Sequence, residues 1–231
     1  MDLSTQNDDY LGSTDLLIKK SHLNISSRFR PLVYQGMAIG ETAQTLYEDE
    51  FLLNFLGYLF YGYKDRLTIN TLVPANIVDR INIAAKAKVY ETESTTLATG
   101  FSFVRLNSDG EKTINLNFYW DNLSSDALIS HTFISVGLVN WDRADEAAAI
   151  KALGSSSFQS GYEVIMNDWN RFLIGPSYNF EKKALGGYLS YIWIWDRFHF
   201  QVSINATDIT HMRLDPTDGY YGFFDMYWRF W

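Results

Sequence analysis

The chain has 231 residues, a formal net charge of −8 and an aromatic content of 16%. The acidity argues against nucleic acid or an anionic lipid surface as the main partner, and zero cysteines exclude disulfides and thiolate metal sites. No segment reaches the run of about 18 apolar residues that a membrane-spanning helix needs, whereas the aromatic excess is typical of the girdles of membrane barrels.

The sequence predicts twelve strands, with ten or fourteen as alternatives. In chain order they cover residues 20–35, 50–61, 63–74, 80–92, 95–106, 111–121, 127–141, 156–168, 171–181, 185–196, 197–206 and 219–231. These runs reach the roughly 9 to 11 residues that a tilted membrane strand needs, against about 5 to 6 in soluble proteins. We therefore expect an all-β chain: a single transmembrane antiparallel up-and-down β-barrel over residues 1–231, with 1–14 a polar N-terminal segment.

Apolar and polar residues alternate along many of these strands, which predicts one apolar and one polar face. The residues predicted to face lipid are Phe198, Phe200, Val202, Ile204, Phe224, Met226, Trp228 and Phe230. The residues predicted to line the lumen are Arg28, Arg30, Arg66, Lys86, Lys88, Arg171, His199, Gln201, Asp225 and Arg229. Such a cation-rich lining would favour anions in an open pore, but small barrels can also fill their interior with paired charges.

The links between predicted strands alternate in length. Short links near 62–64, 92–94, 122–126, 169–170 and 196–197 alternate with a set that includes the long links 37–49, 142–155 and 207–218. Bacterial barrels have short periplasmic turns and longer extracellular loops. We therefore expect the long, acidic links to be solvated extracellular loops, which could bind a surface partner that the sequence does not identify.

The C-terminal segment 220–231 alternates aromatic residues, with Phe224, Trp228 and Phe230 on one face. In this it resembles the bacterial outer-membrane β-barrel family, including porins, whose chains end in an aromatic closing strand. The resemblance implies insertion by the barrel-assembly machinery, a bacterial outer-membrane location and contact with outer-membrane lipid and lipopolysaccharide. Trp231 departs from the pattern, because it is out of phase with the apolar face. The first residues lack the basic and apolar segments of a secretory signal, so we expect the signal peptide to be absent from this chain.

The four histidines, His22, His131, His199 and His211, do not form a recognisable catalytic or metal-ligand motif. We therefore expect no catalytic residue, metal or cofactor. The leading hypothesis is a small passive outer-membrane channel for polar or anionic solutes. The alternatives are a non-conducting structural or adhesive barrel that uses its long loops, a membrane-embedded hydrolase and a ligand-binding barrel outside the membrane.

Overall fold

The computed structural model describes residues 32, 42–77, 80–106, 112–125, 127–139, 156–167, 169–195 and 197–230. The described chain is almost entirely β-structure. Its strands are β1 (Phe51–Asn54), β2 (Tyr58–Tyr63), β3 (Leu67–Leu72), β4 (Arg80–Glu91), β5 (Thr95–Leu106), β6 (Lys112–Ser125), β7 (Leu128–Val139), β8 (Ser157–Asn167), β9 (Asn170–Asn179), β10 (Ala184–Trp195), β11 (Phe198–Ala206) and β12 (Tyr220–Phe230). A five-residue helix, α1 (Val73–Ile77), follows β3. Among the described residues, no helix has the length and apolar character needed to cross a membrane.

The strands form one closed antiparallel sheet in which neighbours in sequence are neighbours in space, and β1 pairs with β12. The closing register joins Phe51 to Phe230 and Asn54 to Tyr227. Closure joins the two terminal strands that would otherwise be the edges of an open sheet. The prediction of an up-and-down barrel of twelve strands is therefore confirmed.

The first two strands are not the ones that the sequence predicted. The predicted strand 50–61 is wrong, because the chain reverses within it: β1 ends at Asn54 and β2 begins at Tyr58. Gly57 has a φ of 89°, and the Asn54 side chain accepts a hydrogen bond from the Tyr58 amide at 2.7 Å. A left-handed glycine and a side-chain acceptor are what a tight reversal requires. The barrel is complete without the predicted strand 20–35, which lies outside the described residues except for Leu32, a residue in no strand.

The connections fall into two groups. One end of the barrel, which we call the turn end, carries the links around 64–66, 92–94, 126–127, 168–169 and 196–197, together with the start of β1 and the end of β12. The opposite end, the loop end, carries the longer links 140–156 and 207–219. This agrees with the alternation of link lengths in the sequence.

The predicted long loop 37–49 is wrong in its described part. Residues Thr42–Leu46 are buried inside the barrel, and the chain then reaches the turn end, where the Asp49 amide donates to the Gly62 carbonyl. Residues 1–31, including the predicted polar segment 1–14, lie outside the described residues. The acidic residues Glu48 and Asp49 therefore lie at the end opposite to the one predicted.

Alternate residues of each strand point into and out of the barrel, since successive side chains of a strand point to opposite faces. In β11 the inward set His199, Gln201 and Ser203 is buried, whereas Val202 and Ile204 are exposed. Three apolar clusters contribute to the interior, among them one formed by Leu46, Leu52, Tyr58, Phe60 and Tyr227. The interior is thus packed with both apolar and polar side chains.

Candidate functional site: the barrel interior

A stretch of the chain itself occupies the barrel interior. Residues Thr42–Leu46, which we call the interior segment, are each 0–3% exposed. The Ala43 amide donates to Asp121 Oδ2 at 3.0 Å, and Lys86 Nζ donates to the Thr42 carbonyl at 2.9 Å. Further along, the Leu46 amide donates to Thr68 Oγ1 at 2.9 Å. The segment is therefore bonded to the inner wall at β3, β4 and β6.

Asp121 also begins a chain of buried ionisable groups, which we call the charge chain: Asp121, His131, Glu163 and Arg171. His131 Nδ1 lies 2.7 Å from Asp121 Oδ1, and its Nε2 lies 2.8 Å from Glu163 Oε2. Arg171 Nε lies 3.2 Å from Glu163 Oε1. A neutral imidazole can donate from only one nitrogen, so both contacts are hydrogen bonds when His131 is the doubly protonated cation. Each carboxylate then lies next to a positive charge.

A second buried ion pair closes the barrel seam. Arg229 of β12 meets Glu50, the residue before β1, through Nε–Oε1 at 2.7 Å and Nη2–Oε2 at 3.0 Å. The two side chains are 1% and 0% exposed. Two-point contact between a guanidinium and a carboxylate is the strongest form of such a pair. This pair, which we call the clamp, holds the entry of β1 against the closing strand.

Seven of the residues predicted to line the lumen are buried on inward positions: Lys86, Lys88, Arg171, His199, Gln201, Asp225 and Arg229. Lys88 pairs with Glu91 at 3.2 Å, and Asp225 Oδ2 accepts from Asn54 Nδ2 at 3.2 Å. Arg66 is exposed in the turn between β2 and β3. Arg28 and Arg30 lie outside the described residues.

The histidines do not assemble a nucleophilic site within the described chain. His131 is held by two carboxylates. His199 is fully buried with its ring 4.7 Å from that of Tyr227, and its ring nitrogens have no hydrogen-bond partner among the described residues. His211 lies in an exposed loop beside Asp218, and His22 lies outside the described residues. A triad needs a nucleophile bonded to a base that a third group orients, and the described histidines do not offer one.

The loop between β11 and β12 places Asp208, His211 and Asp218 so that their ligand atoms lie within 4.8 Å of one another. Ligand atoms at this spacing can hold a cation, but Asp218 is already bonded to both His211 and Arg213. Hydrogen bonds from the Thr210 hydroxyl and amide lower the pKa of Asp208. The same pattern from Thr217 lowers the pKa of Asp215. These bonds order the loop around Asp208 and Asp215.

The outer face of the barrel is apolar over its middle. Apart from the first and last two residues of each strand, no charged side chain of a described residue points outward. The outward Arg105 is the last residue but one of β5. At or near the turn end stands a row of exposed aromatic side chains: Tyr63, Tyr90, Trp120, Trp169, Trp195 and Trp228. The eight residues predicted to face lipid all lie on outward positions. Phe198, Phe200 and Met226 are partly covered, in the case of Phe198 by the Trp228 ring at 4.4 Å.

The sequence interpretation missed the interior segment, Glu50 and Asp121. Asp121 carried a usable signal, because it continues the inward phase of Asn115, Asn117 and Tyr119 on the same strand. The interior segment carried none, since a short polar stretch before a strand is typical of an ordinary loop.

No family model matches the chain, and a search of curated proteins finds no match. Among solved structures, one similar chain comes from work on the in-meso crystallization of membrane proteins. It has a TM-score of 0.46 and 8% sequence identity, and the alignment covers 78% of this chain and 81% of that one.

Proposed function

We propose that this chain is a bacterial outer-membrane β-barrel that is sealed in its resting state and serves as a structural or adhesive barrel. The observation that carries the proposal is the burial of Thr42–Leu46 inside the barrel. A passive pore needs a continuous water-filled path, and the buried segment and buried wall side chains stand in the way of such a path. This favours the non-conducting alternative over the passive channel that the sequence suggested.

The outer surface supports the membrane part of the proposal. Lipid offers no partner to a charge or to an unpaired backbone group, so a spanning sheet must be closed and apolar outside. The uncharged middle of the outer face fits this requirement. Exposed Trp and Tyr at the turn end match the aromatic girdle of a membrane interface. Insertion through β12 by the barrel-assembly machinery, and lipopolysaccharide around the loop end, belong to the same proposal.

The test is conductance of the intact protein in a planar bilayer. We expect protein that needs detergent for solubility, shows heat-modifiable mobility and reconstitutes without steady current. Solubility without detergent would overturn the membrane assignment. A steady ohmic current from single molecules would overturn the sealed barrel and restore the passive channel.

A second candidate is a gated channel for polar or anionic solutes, and the position of Lys86 favours it. Its Nζ bonds to the Thr42 carbonyl, so withdrawal of the interior segment would leave Lys86 facing the vacated space, with Lys88 two residues along the same inward face. Cations that line a narrow lumen favour anions. Brief openings with an anion preference that Lys86→Met reduces would support this candidate, whereas openings without that preference would argue against it.

A further inference from the structure

Three main-chain groups of the interior segment bond to side chains of the inner wall. Lys86 donates to the Thr42 carbonyl at 2.9 Å, Asp121 accepts from the Ala43 amide at 3.0 Å, and Thr68 accepts from the Leu46 amide at 2.9 Å. These three wall residues lie on different strands, and they are 2%, 1% and 1% exposed. We call them the peptide strip.

Side chains of the segment also hold it. Thr45 Oγ1 donates to the Asp65 carbonyl in the turn after β2 at 2.7 Å, and Leu46 packs in the apolar cluster with Leu52 and Tyr227. Gln44 Nε2 reaches Asp121 Oδ2 at 3.2 Å and Thr96 Oγ1 at 3.4 Å, which are long contacts. Ala43 offers only a methyl group, which packs with Ala98 and Tyr119. Over Thr42–Gln44 the wall contacts the carbonyl and amide groups more closely than the side chains, so this part of the wall recognises the peptide backbone rather than one sequence.

Contacts other than those to the segment hold two of the three strip side chains. Asp121 is held from its other oxygen by His131, which is itself held by Glu163. Lys86 Nζ lies 5.2 Å above the centre of the Tyr119 ring. Buried charges held in this way favour an occupant that supplies a hydrogen-bond donor to the carboxylate and an acceptor to the ammonium. Consecutive peptide units supply both.

We propose that Thr68, Lys86 and Asp121 form a binding site for an extended peptide main chain, and that Thr42–Leu46 is a resident occupant which a free peptide can displace. The inference rests on the same observation as the proposed function, the burial of Thr42–Leu46 in the lumen. It adds the chemical class of ligand that the lumen binds once the segment leaves.

The test uses a single introduced thiol, because the chain contains no cysteine. Gln44→Cys places the thiol on the segment, and its modification by a membrane-impermeant reagent in vesicles reports release of the segment. Lys182→Cys in the exposed turn after β9 gives the rate of a fully accessible thiol. With the wall unchanged, we expect the Gln44→Cys protein to react far more slowly than the Lys182→Cys protein.

Thr68→Val in the Gln44→Cys background removes the hydroxyl but keeps the shape. Loss of a buried hydrogen-bond acceptor costs enough to raise the reaction rate of the segment thiol about tenfold. Thr68→Ser keeps the hydroxyl and should react like Gln44→Cys alone. Ser203→Ala is the control for an inner-wall hydroxyl on β11, away from the segment, and should also leave the rate unchanged.

The ligand probe is a capped synthetic peptide with the sequence of residues 41–47. It should accelerate modification of the segment thiol at millimolar concentration, which is about the effective concentration of a tethered segment. The same peptide methylated on the amide nitrogens that correspond to Ala43 and Leu46 should have no effect. Equal effects of the two peptides, or equal rates for Thr68→Val and Thr68→Ser, would overturn the site.

The two proposals fail separately. Steady conductance together with a protected segment thiol would overturn the sealed barrel and leave the peptide site standing. If the Gln44→Cys protein reacts as fast as the Lys182→Cys protein, the segment does not occupy the lumen, and both proposals would fall.

Discussion

The clamp between Glu50 and Arg229 should be a main determinant of barrel stability. Glu50→Gln keeps the size of the side chain but leaves the Arg229 guanidinium buried without its carboxylate. Removing one partner of a buried ion pair costs about 3–5 kcal/mol. Glutamine can still accept from the Tyr47 amide, which Glu50 Oε2 now does at 3.1 Å. We therefore expect a loss of unfolding free energy near the lower limit, about 3 kcal/mol.

The assay is urea unfolding in lipid vesicles, followed by the fluorescence of the seven tryptophans. The matched control is Glu181→Gln in the exposed turn between β9 and β10, which should change stability by less than about 0.5 kcal/mol. The double variant Glu50→Gln/Arg229→Met should be less destabilised than the sum of the single variants, by about 1–3 kcal/mol. A cost below about 1 kcal/mol for Glu50→Gln, without coupling to Arg229, would refute the idea that this pair holds the seam.

Three further predictions concern the outer face, the packing between β8 and β9, and the loop before β12. Val202 lies on an outward position in mid-strand, and Val202→Arg should lower the free energy of unfolding in lipid by about 2–4 kcal/mol. Leu138→Arg, near the end of β7, should lower it by about 1 kcal/mol or less. Equal losses for the two variants would contradict the assignment of Val202 to the lipid-facing side. Gly175→Ala should lower the urea midpoint, because a Cβ there would lie 2.0 Å from the Ser160 carbonyl oxygen and 2.6 Å from the Gly161 Cα. The control is Gly222→Ala, which should leave the urea midpoint unchanged because an added Cβ there meets nothing within 4 Å. Equal urea midpoints for the two variants would argue against the close packing of β8 and β9. Hydrogen bonds from Thr210 and Thr217 lower the pKa of Asp208 and Asp215 below 3.8. The two ionised carboxylates therefore stabilise the loop above pH 3.8, and this stabilisation is lost as the pH falls through their pKa values in the folded protein. Amide hydrogen exchange in residues 207–219 should therefore accelerate below about pH 3.8, relative to the exchange rate of unprotected amides at the same pH. In an NMR titration, Thr210→Val should raise the pKa of Asp208.

The middle and end of the chain could be predicted well because each strand there carries its own signal. The predicted strand 95–106 coincides with β5 (Thr95–Leu106), and the predicted strand 197–206 differs from β11 (Phe198–Ala206) by one residue. In both, long side chains alternate with small or polar ones over at least nine residues, so the pattern alone fixes which side chains share a face.

The start of the barrel could not be predicted in this way. Residues 50–61 read as one apolar run, yet the run holds two short strands and a turn. The reversal depends on Gly57 and on the Asn54 side chain, whereas the length of β1 is set by its pairing with Tyr227–Phe230 at the far end of the chain. A window of local sequence contains the turn residues but not the partner strand, so the hydrophobic run dominated the interpretation.

The net charge of the lumen is a second property that the local sequence pattern describes incompletely. Counting inward charges by phase gave seven cations, among them Lys86, Lys88, Arg171 and Arg229, and their excess over the carboxylates gave the hypothesis of anion selectivity. Among the described buried residues, these cations are accompanied by Glu50, Asp121, Glu163 and Asp225, and Glu91 pairs with Lys88. Phase within a strand also places Glu163 and Asp225 inward. It cannot reveal that Glu50, which lies before its strand, pairs with Arg229, or that Asp121 meets the interior segment 78 residues away. Because most of these charges are paired within the barrel, the anion preference proposed for the gated channel depends on release of the interior segment, which would leave Lys86 without its Thr42 acceptor.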